Sequence, residues 1–188
     1  MDWEKRYQTN DMPWEKGYAA PSLEDYLKSN KVEGSVLVPG CGLGHEVRLL
    51  ASYGAEVVGL DMAPSAIKRA KQFSQKENYV LGDFLHLPEG FESKFDWIVE
   101  HTCFCAIEPN QRKAYVKAAW HALKTTGKLF GIFYLDPDVE EGPPFGIKAG
   151  ELDLFFEPYF VLKEEWKPLR SYEGREGKEL IRIYQKKN

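Results

Sequence analysis

No apolar run in this 188-residue chain approaches the ~18–20 residues needed to cross a bilayer, which excludes a transmembrane helix. Cysteine is scarce, and the three present (Cys41, Cys103 and Cys105) form an odd set without a CxxC pair. That pattern reads as free thiols in a reducing, cytoplasmic compartment, not as a disulfide scaffold or a zinc site. Positive charge is not in excess. With 25 Lys and Arg against 29 Asp and Glu, the net charge is −4. Nucleic acid and anionic lipid both call for a basic footprint that this balance does not offer. Residues 1–11 are charged and lack the apolar stretch of a secretory signal, so none is expected. Internal repeats, low-complexity tracts and linker-like composition are also missing, and the expectation is a single domain over 1–188. What is present is ordinary globular usage, 43% hydrophobic and 29% charged, which rules out a disordered chain, a collagen and a coiled-coil rod. Aromatic residues reach 14%, including five Trp and ten Tyr, enough to fill a core or to wall a pocket.

Along the chain, short β-branched runs alternate with amphipathic stretches. Pro21 to Leu27 has helical spacing behind Ser22, and Ser35 to Val38 is a first strand ended by Pro39-Gly40. A helix from Leu43 to Tyr53 stops at Gly54, a strand covers Ala55 to Leu60, and Pro64 to Phe73 is a helix with proline in its first turn. Strands are expected at Asn78–Leu81 and Phe95–Glu100, a helix at Arg112–Leu123, and a buried strand at Lys128–Leu135. A proline-rich loop follows at Gly142-Pro143-Pro144-Phe145, then a short helix from Glu151 to Phe156 and two strands near Phe160–Trp166 and Leu180–Gln185. Such alternation implies right-handed crossovers and a mainly parallel sheet with helices on both faces. The last two strands have no long helix between them, so one is expected to run antiparallel. The fold class is α/β, doubly wound.

In such sheets ligands bind beyond the C-terminal strand ends, where strand order reverses. The first strand runs into Pro39-Gly40-Cys41-Gly42-Leu43-Gly44, and glycines at alternate positions let the backbone turn tightly against a ligand. Alone, this is also the signature of a plain strand-to-helix turn. Asp61 ends the second strand about 20 residues on, where a carboxylate can accept from ribose hydroxyls. Dinucleotides and S-adenosylmethionine both carry that ribose. The spacing here is GxGxG, not GxGxxG, and Glu46 sits in the first helical turn, where it would repel a pyrophosphate. S-adenosylmethionine has no phosphate and a positive sulfonium. Gly82-Asp83-Phe84 suits the same nucleoside: Asp83 could accept from the adenine amino group with Phe84 against the ring, or the segment is an ordinary Gly-Asp turn.

These strand-end features resemble a class I S-adenosylmethionine-dependent methyltransferase, whose seven-stranded sheet ends in an antiparallel strand. Trp3-Glu4-Lys5-Arg6-Tyr7 with Pro13-Trp14-Glu15-Lys16-Gly17 is similar to the opening of the thiopurine S-methyltransferase superfamily. Phe95 to Glu100 followed by His101-Thr102-Cys103-Phe104-Cys105-Ala106-Ile107, together with Gly142 to Phe145, resembles its halide/thiol methyltransferase branch. The resemblance implies that residues 1–34 cover the cofactor and 35–188 form the Rossmann-like core. It implies cofactor contacts at Trp3, Tyr7, Trp14, Gly40, Asp61, Asp83, Phe84 and His101. Electron-rich ring faces attract a sulfonium, although the same aromatics could form a satellite core. His101 stands where plant members commonly have Tyr; it contacts the cofactor through its backbone or is a satisfied strand-end histidine.

The reaction so implied is methyl transfer to a small soft nucleophile (thiol, sulfide, halide or thiopurine) by in-line displacement. Alignment at near-attack distance supplies roughly 7–11 kcal/mol. A thiol is already a few per cent thiolate at neutral pH and a halide needs no deprotonation, so no obligatory base is expected. The acceptor is expected near Cys105, Tyr134 and Phe145, with no metal. Competing readings are an oxygen or nitrogen acceptor, with His101 or Glu100 as base, a non-catalytic S-adenosylmethionine-binding module, and, more remotely, an NAD-binding oxidoreductase. The expected partner is a small-molecule substrate, with no nucleic acid and no membrane, and the protein is expected to be a monomer.

Overall fold

A computed structural model describes residues 1–74, 76–139 and 141–188. Two helices, α1 (Trp3–Gln8) and α2 (Pro21–Ser29), precede a run of strands and helices: β1 (Ser35–Pro39), α3 (His45–Ser52), β2 (Glu56–Asp61), α4 (Pro64–Phe73) and β3 (Asn78–Leu81). The chain continues through β4 (Phe95–His101), α5 (Arg112–Ala122), β5 (Leu123–Tyr134), α6 (Ala149–Phe156), β6 (Phe160–Trp166) and β7 (Glu179–Lys186). The seven strands form one sheet in the order β3-β2-β1-β4-β5-β7-β6. Every pairing is parallel except those of β7, which runs antiparallel to both β5 and β6. Strand order therefore reverses between β1 and β4, which opens a crevice beyond their C-terminal ends.

Alternation along the strands loads both faces. On β5, Leu129 and Phe133 join the side packed by α5 and α6, whereas Phe130 and Ile132 join the side packed by α2, α3 and α4. On β7, Leu180 and Tyr184 face the first layer, and Ile181 and Ile183 the second. Period-2 alternation with apolar residues on both faces is what a strand buried on both sides requires. The first layer is strongly aromatic: the Phe156 ring stacks on Tyr184 at 4.5 Å and meets Phe104 and Phe133 at 5.7 and 5.5 Å.

Three departures from the sequence-based boundaries have local causes. α1 is an unforeseen helix, only six residues long and so too short to show periodicity; the Asp2 carboxylate caps it by accepting from the Lys5 N–H at 3.0 Å. α3 starts at His45, not Leu43, because Gly44 sits at its N-cap with φ +77°. β5 begins at Leu123, directly after α5, and its register against β4 shifts between Phe95 and Trp97. The exposed Thr125 and Thr126 hide this strand from a hydrophobicity reading.

Phe156→Ala removes a ring that is fully buried in the aromatic layer. It is expected to cost about 3–5 kcal/mol in urea unfolding, against under ~0.5 kcal/mol for Leu154→Ala on the exposed side of the same helix. Equal losses at the two positions would show that the aromatic layer is not the core of the fold.

Candidate functional site

The crevice beyond β1, β2 and β4 is a cavity of about 480 Å³. Its floor is the turn after β1. Gly40, Gly42 and Gly44 all have positive φ, and a side chain on Gly40 would come within 3.0 Å of the Cys103 sulfur. At Gly42 the same addition would come within 3.0 Å of the Tyr7 hydroxyl. Only glycine permits both the backbone shape and the close approach. The Asp61 carboxylate ties this turn to β2, accepting from Gly42 N–H and Ala63 N–H at 2.9 Å each. Burial works to raise the Asp61 carboxyl and prevails over the backbone N–H bonds that work to lower it. A carboxylate has about four acceptor sites, so Asp61 keeps capacity for a further donor.

The N-terminal segment closes one side. Glu4 of α1 accepts from both the backbone N–H (2.9 Å) and the hydroxyl (2.7 Å) of Ser65 in the first turn of α4. Arg69 donates to the Tyr7 carbonyl at 2.7 Å. Trp3, Tyr7 and Trp14 line the cavity and also pack with Leu43, Ala63 and Ala66, so they are a wall and a satellite core at once. The Arg6 guanidinium lies 4.5 Å from the Trp14 ring centre, and a cation already occupies that ring. α2 belongs elsewhere: Leu23 and Leu27 are buried against the sheet, so the cavity-lining part of residues 1–34 lies before α2.

Toward β3 the lining includes Asp83 and Phe84. Asp83 accepts from Leu85 N–H at 2.9 Å and pairs with His86 Nδ1 at 2.7 Å. Phe84 is 6% exposed, with its ring 4.9 Å from Tyr115, so little of it is free to face a ligand. At β4, His101 lines the cavity while its neighbour Glu100 does not. Glu100 is buried and accepts from the Tyr115 hydroxyl and from the Cys103 and Phe104 N–H groups at 3.1 and 2.8 Å. It shapes the turn after β4 and has no access to a substrate, which corrects its candidacy as a base.

The opposite end is walled by Cys105, Tyr134, Pro143 and Pro144. Phe145 is absent from this wall, contrary to the sequence expectation. Its ring folds back over Gly142, its N–H donates to the Cys105 carbonyl at 2.7 Å, and its carbonyl accepts from the buried Arg112 at 2.9 Å. Two residues that sequence reasoning missed complete the wall: Tyr172 and Arg175, on the connection between β6 and β7. No motif marks them. Topology could have done so, because β6 runs with the parallel strands and ends at the edge where the crevice opens. Arg175 is 7% exposed; Nη1 donates to the Thr102 hydroxyl at 3.1 Å and lies 3.5 Å from Glu179. Its guanidinium sits 4.6 Å from the Tyr134 ring centre and 5.6 Å from that of Tyr172. Thr102 holds φ +64°, an unfavourable left-handed conformation worth about 1–2 kcal/mol, at the point where it meets this cation.

The cysteines sit where ionisation is opposed. Burial, then the nearby Glu100 charge, push the Cys105 thiol up to about 12, and burial raises Cys41 and Cys103 as well. At pH 8 a thiol titrating near 12 is ionised to about one part in ten thousand. Native protein at pH 8 is therefore expected to resist iodoacetamide at all three positions and to take up three equivalents once unfolded. Rapid native labelling of Cys105 would contradict this environment.

A family model for thiopurine S-methyltransferase matches residues 1–174. The chain is 34% identical over 197 residues to thiocyanate methyltransferase 1 of Brassica oleracea, covering 99% of this chain and 85% of that protein. It is 32% identical over 163 residues to the probable thiol methyltransferase 2 of Arabidopsis thaliana, covering 83% and 71%. Its fold matches the Burkholderia thailandensis 1,6-didemethyltoxoflavin-N1-methyltransferase, solved with S-adenosylhomocysteine, at a TM-score of 0.75 and 16% identity, covering all of this chain and 86% of that one. With a strand order that reverses between β1 and β4, a glycine turn tied to a strand-end carboxylate, and a sequence match that spans nearly the whole chain, this protein belongs to the thiopurine S-methyltransferase family of S-adenosylmethionine-dependent methyltransferases.

Proposed function

We propose that this enzyme transfers a methyl group to a small soft nucleophile (a thiol, sulfide, halide or thiopurine) in the cavity end bounded by Arg175. The observation that carries the reading is Arg175 itself. A guanidinium has five N–H donors, and among the described residues this one makes a single side-chain hydrogen bond, to Thr102, beside its 3.5 Å ion pair with the buried Glu179, in a wall that includes Tyr134, Tyr172, Pro143 and Pro144. A buried cation with spare donors suits an acceptor that is an anion when it reacts.

S-adenosylmethionine, when bound, supplies an electrophilic methyl group on a sulfonium. The residues present fit it: a cradle that any Cβ would fill at Gly40 and Gly42, and a strand-end carboxylate with acceptor capacity left. Asp61 would hold the ribose hydroxyls, Asp83 the adenine, and the Gly40 turn and the His101 main chain the methionine portion. Trp3, Tyr7 and Trp14, carried on a segment pinned by Glu4 to α4, would cover the cofactor and exclude water. Pro143, Pro144, Tyr134 and Tyr172 would confine the acceptor on the far side. Rate then comes from alignment and a dry site. Residues 1–34 would serve as the cover, their inner part α2 being built into the core 35–188. The free thiols suit a cytoplasmic setting. No helix among the described residues is long and apolar enough to cross a membrane.

The test is incubation with methyl-labelled S-adenosylmethionine and a panel of hydrosulfide, alkanethiols, iodide, thiocyanate and thiopurines beside phenols and amines. Label is expected on sulfur or halide acceptors. Arg175→Leu is expected to raise KM for the anionic ones about 10- to 100-fold while leaving cofactor affinity, read by calorimetry, within about threefold. Label confined to oxygen or nitrogen acceptors, or cofactor binding with no methyl transfer at all, would overturn the reading.

A further inference from the structure

His101 is not the satisfied strand-end histidine that its sequence position allows. Its Nδ1 lies 3.0 Å from Glu46 Oε1, and Glu46 is itself fixed by accepting from the Ala20 N–H at 3.1 Å. Its Nε2 is buried and has no hydrogen-bond partner among the described residues. Leaving a buried polar atom unpaired is costly, so a retained orphan on a cavity-lining residue points to a ligand. Burial works to raise the Glu46 carboxyl, but the bond and charge of His101 outweigh it and hold it below the ordinary range. An ionised Glu46 is a pure acceptor, which places the imidazole proton on Nδ1 and leaves a lone pair on Nε2.

The ring lines the cavity that Arg175 closes, and its centre is 5.4 Å from that of Tyr172. The next residue, Thr102, holds Arg175, and both His101 and Arg175 line the cavity. Among the described residues, the charged and titratable groups around the imidazole are Glu46 on α3, Glu100 beside it on β4 and Tyr172 from the β6–β7 connection, with Arg175 and Glu15 next to Tyr172.

We propose that His101 is the general base for protonated thiols, oriented by Glu46, so that the acceptors of this enzyme include thiols that are mostly neutral at working pH. This rests on the soft-nucleophile reading above and extends it to a substrate class. The S–H proton passes to His101 Nε2 while the sulfur forms a bond to the methyl carbon. The carbon–sulfonium bond breaks with its electron pair left on the cofactor sulfur. The products are a methyl thioether, a neutral cofactor product and an imidazolium that returns its proton to water. Anionic acceptors need none of this, and the dyad therefore sets which acceptors are used.

His101→Gln separates the two demands. At pH 7 only about 3% of a cysteine-like thiol is thiolate, so the ratio of thiol to iodide kcat/KM is expected to fall about 30-fold in the variant and to recover toward the wild-type ratio by pH 9.5. A ratio that does not change, or a variant profile parallel to the wild type across that range, would overturn the proposal. Independent of turnover, nitrogen-15 NMR of the wild type at pH 8 is expected to show His101 protonated on Nδ1 and bare on Nε2; the opposite tautomer would overturn it. Wild-type enzyme that methylates iodide but no neutral thiol would defeat the base and leave the broader reading standing. Enzyme that methylates neither would defeat the broader reading.

Discussion

The site depends on one bond, from the Gly42 N–H to the Asp61 carboxylate. The reversal of strand order at β1 and β4 makes a crevice in any sheet of this topology, but a crevice is not yet a binding surface. The glycine turn must be held flat against it, and Asp61, buried at the end of the neighbouring strand, does so while its remaining acceptor sites stay available. The same residue accepts from Ala63, at the entrance to α4. The helix so placed receives Glu4, which docks the N-terminal aromatic segment over the opening. Turn, helix and cover are thus linked through polar contacts that lead back to one carboxylate.

Around this anchor the cavity carries charge of both signs. Toward β3 it has strand-end carboxylates at Asp61 and Asp83, and at its other end the buried Arg175 among tyrosines, with Glu46 also in the lining. A cationic cofactor and an anionic or polarisable acceptor would be drawn to opposite ends and so oriented toward each other. The aromatic cover is less simply cationophilic than its composition suggests, because Arg6 already sits on Trp14. Its packing beneath α1 indicates that shape and water exclusion matter at least as much as ring electrostatics.

Much of this was legible in the sequence because its signals are local. Proline at the start of α4, the β-branched runs of β1 and β2 and the alternating glycines each encode backbone geometry within a few residues. The cavity placement of Asp61 and Asp83 followed from a topological rule applied to those elements, and that of His101 from the family resemblance. The misses are non-local or very short. Phe145 looked like a wall residue because it ends a proline loop, yet Arg112, thirty-three residues away, pins that loop with the ring turned onto Gly142. Glu100 looked like a base because it ends a strand, but its acceptors are consumed by Tyr115 and the following turn. Arg175 lies in a polar connection without a motif, and its importance comes only from burial among partners distant in sequence.

The account turns on where the adenosine lies, and a crystal structure of the protein with S-adenosylhomocysteine measures that most directly. The ribose hydroxyls should fall within hydrogen-bond distance of the Asp61 carboxylate, the thioether sulfur should face Tyr172 and Arg175, and Trp14 should close over the ligand. A nucleoside bound outside the β1–β4 crevice, or seated there with its sulfur turned away from Arg175, would contradict it.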